Sequence, residues 1–271
     1  MVRNVYDDRI DGVLQRVFGE DDGPLYVADA SASVVSAVVD ALSASEETPE
    51  IRLLADENAF KTVFEDFLVA SEAADHVASG RLTLHVAADP DATPTVIANG
   101  CVTSLVDAGT RVGGLRSDEA DLVEAARATV EDRWERADEY SLRTPPMSSV
   151  REELEGDLGA GVQKDFSGML DSLETARGDD DDLDEVTVSL LAAAKNEALL
   201  YDISRWGEDT GVASKATFSR TKSTLEDAGL IETEKVPIEV GRPRLRLTLS
   251  DERLRDAEPD QVAAAAQTVL N

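Results

Sequence analysis

Residues 214–229 read SKATFSRTKSTLEDAG. Phe218, Thr221 and Leu225 recur at helical spacing, so the stretch predicts an amphipathic helix with those three side chains inward and Ala228-Gly229 at its end. The outward face is chemically one-sided. Ser214, Lys215, Thr217, Ser219, Arg220 and Lys222 offer donors and cations, and no carboxylate falls between Ser214 and Thr224. The whole chain has 26 Lys+Arg against 56 Asp+Glu, a formal net charge of -30, so an acid-free helix face needs a reason.

On the C-terminal side, LIETEKVPIEV (230–240) and RPRLRLTLS (242–250) read as two strands joined near Gly241-Arg242-Pro243. Leu245, Leu247 and Leu249 alternate inward, and Arg244 and Arg246 alternate outward. On the N-terminal side, EVTVSLLAAAKNEALLYDISRWGEDTG (185–211) gives one apolar-faced helix and a shorter one that ends near Gly207 or at Gly211. Three helices followed by a β-hairpin is the order of a winged helix-turn-helix, whose third helix enters the major groove while the wing lies on the flanking backbone. Charge agrees: residues 213–247 hold seven basic side chains against five acidic ones. A solvated helix beside an arginine-guarded edge strand explains either segment alone. Both together, in this order, favour double-stranded DNA as the partner. The expected contacts are Ser214, Lys215, Thr217, Ser219, Arg220 and Lys222 on the helix, with Arg242 and Arg244 near the wing tip.

Further toward the N-terminus the pattern changes. PLYVADA (24–30), IRLLADE (51–57) and RLTLHVAA (81–88) are short apolar strands, separated by the helical patterns of 31–44 and 58–80. This alternation predicts βαβ units and a parallel sheet. A helix over about Val5 to Phe18 precedes it. Antiparallel strands turning at Asn99-Gly100 and Asp107-Ala108-Gly109 follow, and a charged helix over about Ser117 to Tyr140 closes the domain. The fold class is therefore α/β, a Rossmann-like sandwich with a C-terminal winged helix-turn-helix. The divisions are 1–142, an α/β sensor or dimerisation domain; 143–182, a linker and helical connector; and 183–271, the winged domain with a C-terminal helix. GDDDDLDE (178–185) lacks the spacing of a calcium loop and reads as a solvated linker.

The stretch from Asp202 to Asp251 resembles the winged-helix domain of archaeal transcriptional regulators. With the N-terminal part from GPLYVADAS onward, the whole chain is similar to the haloarchaeal regulator family called TbsP. That resemblance implies a sequence-specific regulator of promoters, connected with sugar and central carbon metabolism.

In open α/β sheets ligands bind beyond the carboxyl ends of the strands, where helix N-termini attract anions. Asp29, Ser31 and Asp56 occupy such turns, and Arg111 and Arg116 add positive charge suited to a sugar or sugar-phosphate effector. A homodimer is expected, joined through the helix of 148–176, the C-terminal DAEPDQVAAAAQTVLN helix, or both, so that two recognition helices meet a near-palindromic site.

Composition narrows the remaining classes. Six lysines against twenty arginines, with acid dispersed along an Ala- and Val-rich chain, suit a protein hydrated in concentrated salt, where the Debye length shrinks to about 3 Å at 1 M. A halophile's cytoplasmic protein is the expectation. One cysteine, Cys101, excludes an intramolecular disulfide and a multi-cysteine zinc site. VADASASVV is neither a dinucleotide fingerprint nor a P-loop, and His76 and His85 sit in no catalytic setting. No cofactor, metal, membrane association or catalytic activity is expected. The alternative reading is a protein-interaction module that uses its winged helix structurally.

Overall fold

The computed structural model describes residues 3–19, 23–45, 49–86, 93–98, 100–175, 183–237 and 243–270. Outside them lie Arg242 and the rest of the wing tip, Asn99 of the expected hairpin turn, and most of GDDDDLDE. The chain divides into two compact units, Met1–Pro146 and Met147–Asn271.

The first unit runs β1 (Val5–Asp7), α1 (Ile10–Phe18), β2 (Leu25–Ala30), α2 (Ala32–Ser43), β3 (Ile51–Ala55), α3 (Glu57–Val63), α4 (Phe67–Ala78), β4 (Leu82–Val86), β5 (Thr95–Ala98), β6 (Cys101–Asp107), β7 (Val112–Ser117), α5 (Ala120–Arg136) and β8 (Asp138–Glu139). Its strands form one mixed sheet in the order β1-β7-β6-β5-β2-β3-β4-β8. Only β2, β3 and β4 are mutually parallel; every other neighbour pair is antiparallel. Leu25–Ala30 is almost wholly buried because it is covered on both faces, as parallel strands must be. Val27, Leu53 and Val96 face a core built with α1 to α4, while Tyr26, Leu54 and Ile97 face Val130 of α5. Trp134 of α5 stacks on His85 with ring centres 3.7 Å apart and planes within 11°.

Three elements differ from the sequence expectation. The first helix begins at Ile10 rather than Val5, because Asp7 Oδ1 accepts the Asp8 and Arg9 amides in a tight turn and frees Val5–Asp7 to pair with β7. The helical run after β3 is two helices, since Asp66 caps a new start by accepting from Leu68 and Val69. The long helix stops at Arg136; Asp138 and Glu139 then pair with β4, with Glu139 opposite His85.

The second unit runs α6 (Met147–Leu158), α7 (Ala160–Thr175), α8 (Glu185–Lys195), α9 (Leu200–Thr210), α10 (Lys215–Asp227), β9 (Ile231–Val236), β10 (Arg244–Leu249), a short 3-10 turn (Glu252–Leu254) and α11 (Pro259–Leu270). Residues 186 to 194 of α8 are buried throughout, and α7, α9, α10, α11 and β10 pack around that helix. The helices expected to join two subunits therefore place apolar residues in their own unit's core: Val150, Leu154, Phe166 and Leu170 of α6 and α7, and Val262, Ala263 and Ala266 of α11. Gly159, at φ 95°, makes the break between α6 and α7. Trp206 of α9 is fully buried and meets Phe166 edge-on at 6.1 Å. Among the described residues no helix is long and apolar enough to cross a membrane.

Candidate nucleic-acid interface

The helix pair α9–α10 is set by two glycines that the sequence left undistinguished. Gly211 ends α9 in the left-handed conformation at φ 83°. Gly207 lies inside the helix, where the fully buried Phe218 ring of α10 occupies the space a side chain would need. The turn then reaches Ser214, which caps α10 by accepting the Thr217 amide at 3.2 Å, its Oγ also 3.0 Å from Thr217 Oγ1. Phe218 and Leu225 point into the core, as their spacing predicts, and Thr221 is half-buried. The wing strands pair in register from Arg244 opposite Val236 to Leu249 opposite Ile231. β10 is further tied to the start of α9, where the Leu247 amide donates to the Ala198 carbonyl at 2.9 Å.

Ser214, Lys215, Ser219 and Arg220 are exposed on α10. Their cationic neighbours are engaged in different ways. Lys215 pairs with Glu208 of α9, which holds the Glu208 carboxyl below its usual range and pushes the Lys215 ammonium up. Lys222 is largely buried and donates to Glu226 at 2.6 Å, whose other oxygen accepts from Thr233 of β9 at 2.8 Å. That bridge braces α10 against the wing. Arg244 lies over the Tyr201 ring at 4.1 Å and pairs with Asp202 at 3.3 Å, so it is held against α9 rather than free at the tip. Arg246 stands 3.8 Å from Glu234 on the adjacent strand. Arg220 makes no ion pair with the described residues; its Nη2 lies 3.5 Å from Thr217 Oγ1. It is the one cation of α10 presented without a carboxylate partner among the described residues.

The residues expected to meet an effector are not gathered into one site. Asp29, in a left-handed backbone conformation at φ 58°, is 8% exposed and makes a two-pronged ion pair with Arg133 of α5 at 2.5 and 3.0 Å. Ser31 precedes α2 with its hydroxyl 3.0 Å from Ser33 Oγ, and Asp56 caps α3 by accepting from Asn58 and Ala59 at 2.8 and 3.1 Å. These three lie at the carboxyl ends of β2 and β3. Arg111 lies in the β6–β7 turn, 3.7 Å from Asp8, and Arg116 lies at the other end of β7, where its amide donates to Asn4 Oδ1. A hollow of about 800 Å³ opens at the carboxyl end of β4, lined by α3 from Glu57 onward, by β8 and by the segment after it, with Phe64, Val86, Tyr140 and Leu142 as its apolar wall and Lys61 and Arg143 among its charges. The sequence reading missed it because Asp138 to Tyr140 read as the end of a helix.

Two family models match the chain. One, transcriptional regulator TbsP-like, N-terminal, covers residues 2–145, and the other, transcriptional regulator TbsP-like, C-terminal HTH domain, covers residues 146–267. No curated protein matches it. Among solved structures, it is similar to TrmBL2, described as an archaeal chromatin protein with a novel mode of DNA binding, at 13% identity and a TM-score of 0.38, over 52% of this chain and 55% of that one. It is also similar to Nuc from Salmonella typhimurium, a phospholipase D family member, at 12% identity and a TM-score of 0.38, over 52% of this chain and 97% of that one. The chain thus spans about half of the first of these structures, and neither likeness is close enough to bear on function.

Proposed function

Since the chain belongs to the TbsP-like family of transcriptional regulators, we propose that it binds promoter DNA in a sequence-specific way through α10 and the β9–β10 wing. The observation that carries this reading is Arg220, exposed in the N-terminal half of α10 without a carboxylate partner among the described residues, beside the donors Ser214, Thr217 and Ser219. An arginine so placed suits the O6 and N7 edge of guanine, while wing arginines suit phosphates. The protein acts as a regulator rather than an enzyme, in the cytoplasm of a halophilic archaeon, as a homodimer that sets two α10 helices about one helical turn apart.

The first unit serves as the sensor, and its effector is a sugar or sugar phosphate that reports on central carbon metabolism. The hollow beside α3 supports this, because its size falls within the range of small-molecule sites and its lining mixes aromatic rings with charge. Chromatin immunoprecipitation with sequencing, with and without sugar, tests the whole reading. Discrete promoter peaks that respond to sugar are expected. A flat profile supports instead an interaction module with a structural winged helix, a reading favoured by the carboxylate partners of Lys215, Arg244 and Arg246.

A further inference from the structure

Three surface cations around α10 and the wing do not stand open to a polyanion. Lys215 holds Glu208, Arg244 holds Asp202 at 3.3 Å, and Arg246 faces Glu234 at 3.8 Å. All three pairs are at the surface, with both partners a third or more exposed, unlike the braced Lys222–Glu226 pair at 14% and 29%. Asp202 and Glu208 both lie on α9, and the Tyr201 ring under Arg244, 4.1 Å from the guanidinium carbon, holds that side chain against the same helix. Any phosphate that takes one of these cations must first displace a carboxylate, which is then left beside the DNA.

We propose that Asp202, Glu208 and Glu234 act as intramolecular stand-ins for DNA phosphates, positioning the three cations before binding and setting the salt dependence of the complex. The inference rests on the DNA-binding reading above. Ordinarily each cation that neutralises a phosphate releases counterions, giving a slope of log affinity against log salt of about -0.9 per contact. Here each displaced carboxylate, in the negative potential of the duplex, draws in a cation, so uptake offsets release. On a duplex without its cognate base, Arg220, lacking such a partner among the described residues, meets phosphate and contributes its full share, while Lys215, Arg244 and Arg246 contribute little to the slope. High salt screens the exposed pairs as well as the DNA contacts, so the competing carboxylate weakens together with the contact it opposes. The complex therefore tolerates salt through chemistry carried by α9 and β9, elements that need not touch a base.

The test is fluorescence anisotropy of the full chain with a labelled random-sequence 30-base-pair duplex across a KCl series. The native chain is compared with Asp202→Asn/Glu208→Gln, and with Glu152→Gln/Glu153→Gln as a control carrying the same change of net charge on exposed residues of α6. The expected result is a shallow slope for the native chain and the control. In the α9 variant the slope steepens by about 1 to 2, with about tenfold tighter binding at 0.1 M KCl. Equal slopes in the native chain and the α9 variant overturn the inference, as does a control that steepens as much as the α9 variant, since net charge alone would then explain the effect. Absence of duplex binding by any of the three proteins at every salt concentration overturns both the inference and the DNA-binding reading beneath it.

Discussion

Replacing Gly207 with alanine tests the crossing of α9 and α10 directly. A Cβ at this position lies 2.1 Å from Phe218 Cε2 and 2.4 Å from Cζ, and the ring is fully buried. Carbon atoms in contact sit about 3.5 to 4.0 Å apart, so the ring must withdraw by about 1.5 Å into a filled core. Overpacking of this kind costs about 1 to 3 kcal/mol, and an overlap this deep belongs at the upper end. Alanine returns about 1 kcal/mol of helix propensity, leaving a net loss of about 2 kcal/mol. For a unit of this size the midpoint should fall by about 8 °C. Scanning calorimetry of the full chain measures it, with the transition of the first unit as an internal reference. Adding Phe218→Leu, which removes the colliding ring atoms, should recover about half of the loss, a coupling expected only of residues in contact. An unchanged or raised midpoint in Gly207→Ala would refute this account of how the two helices are spaced.

Three further outcomes are expected. Lys195 and Asn196 bind the two oxygens of buried Asp165 at 2.8 and 2.7 Å, so Lys195→Met should cost about 3 to 5 kcal/mol in urea denaturation; adding Asp165→Asn should recover most of it, and equal losses in single and double variants would contradict the pairing. Arg81 donates to His76 Nδ1 at 2.8 Å, and burial, then the Arg81 charge, push that histidine down to about 4. The unfolded chain, with a histidine near 6.5, binds the extra proton between these values, so stability should fall by about 3 kcal/mol as pH drops from 6.5 to 4; an NMR titration midpoint near 6.5 would refute this. Arg220→Ala should weaken binding to a cognate promoter by about 1 to 3 kcal/mol while Arg244→Ala weakens cognate and random DNA alike, and mobility shifts that reverse the two would reassign the base contact.

The winged unit was legible in sequence because its signals are local. Apolar spacing located α8 and α10, Leu247 and Leu249 marked the inner face of the wing, and Ala228-Gly229 marked a helix end. The two glycines of α9 show where local reading stops. Both Gly207 and Gly211 read as terminators, yet only Gly211 adopts the left-handed backbone, and the role of Gly207 depends on Phe218 arriving from the next helix. Strand β8 was hidden for a similar reason, since two charged residues become a strand only when β4 offers its edge. Two of the three carboxylates around the cations, Asp202 and Glu208, escaped the count of charge over residues 213–247. Asp202 lies 42 positions from Arg244, and a window around the basic cluster treats the two as unrelated. For the effector, turn chemistry located Asp29, Ser31 and Asp56 correctly at strand ends, but the topology carries Arg116 to the opposite end of β7 and spends Asp29 on Arg133.

The placement of the two tryptophans gives each unit its own optical signal. Trp206, sealed in the second unit against Phe166, reports a dry environment until that unit opens. Trp134, face to face with His85, reports from the first unit. Intrinsic fluorescence of the unlabelled chain, with either residue changed to phenylalanine in turn, can therefore follow the winged helix and the sheet separately during DNA titration, salt change or heating.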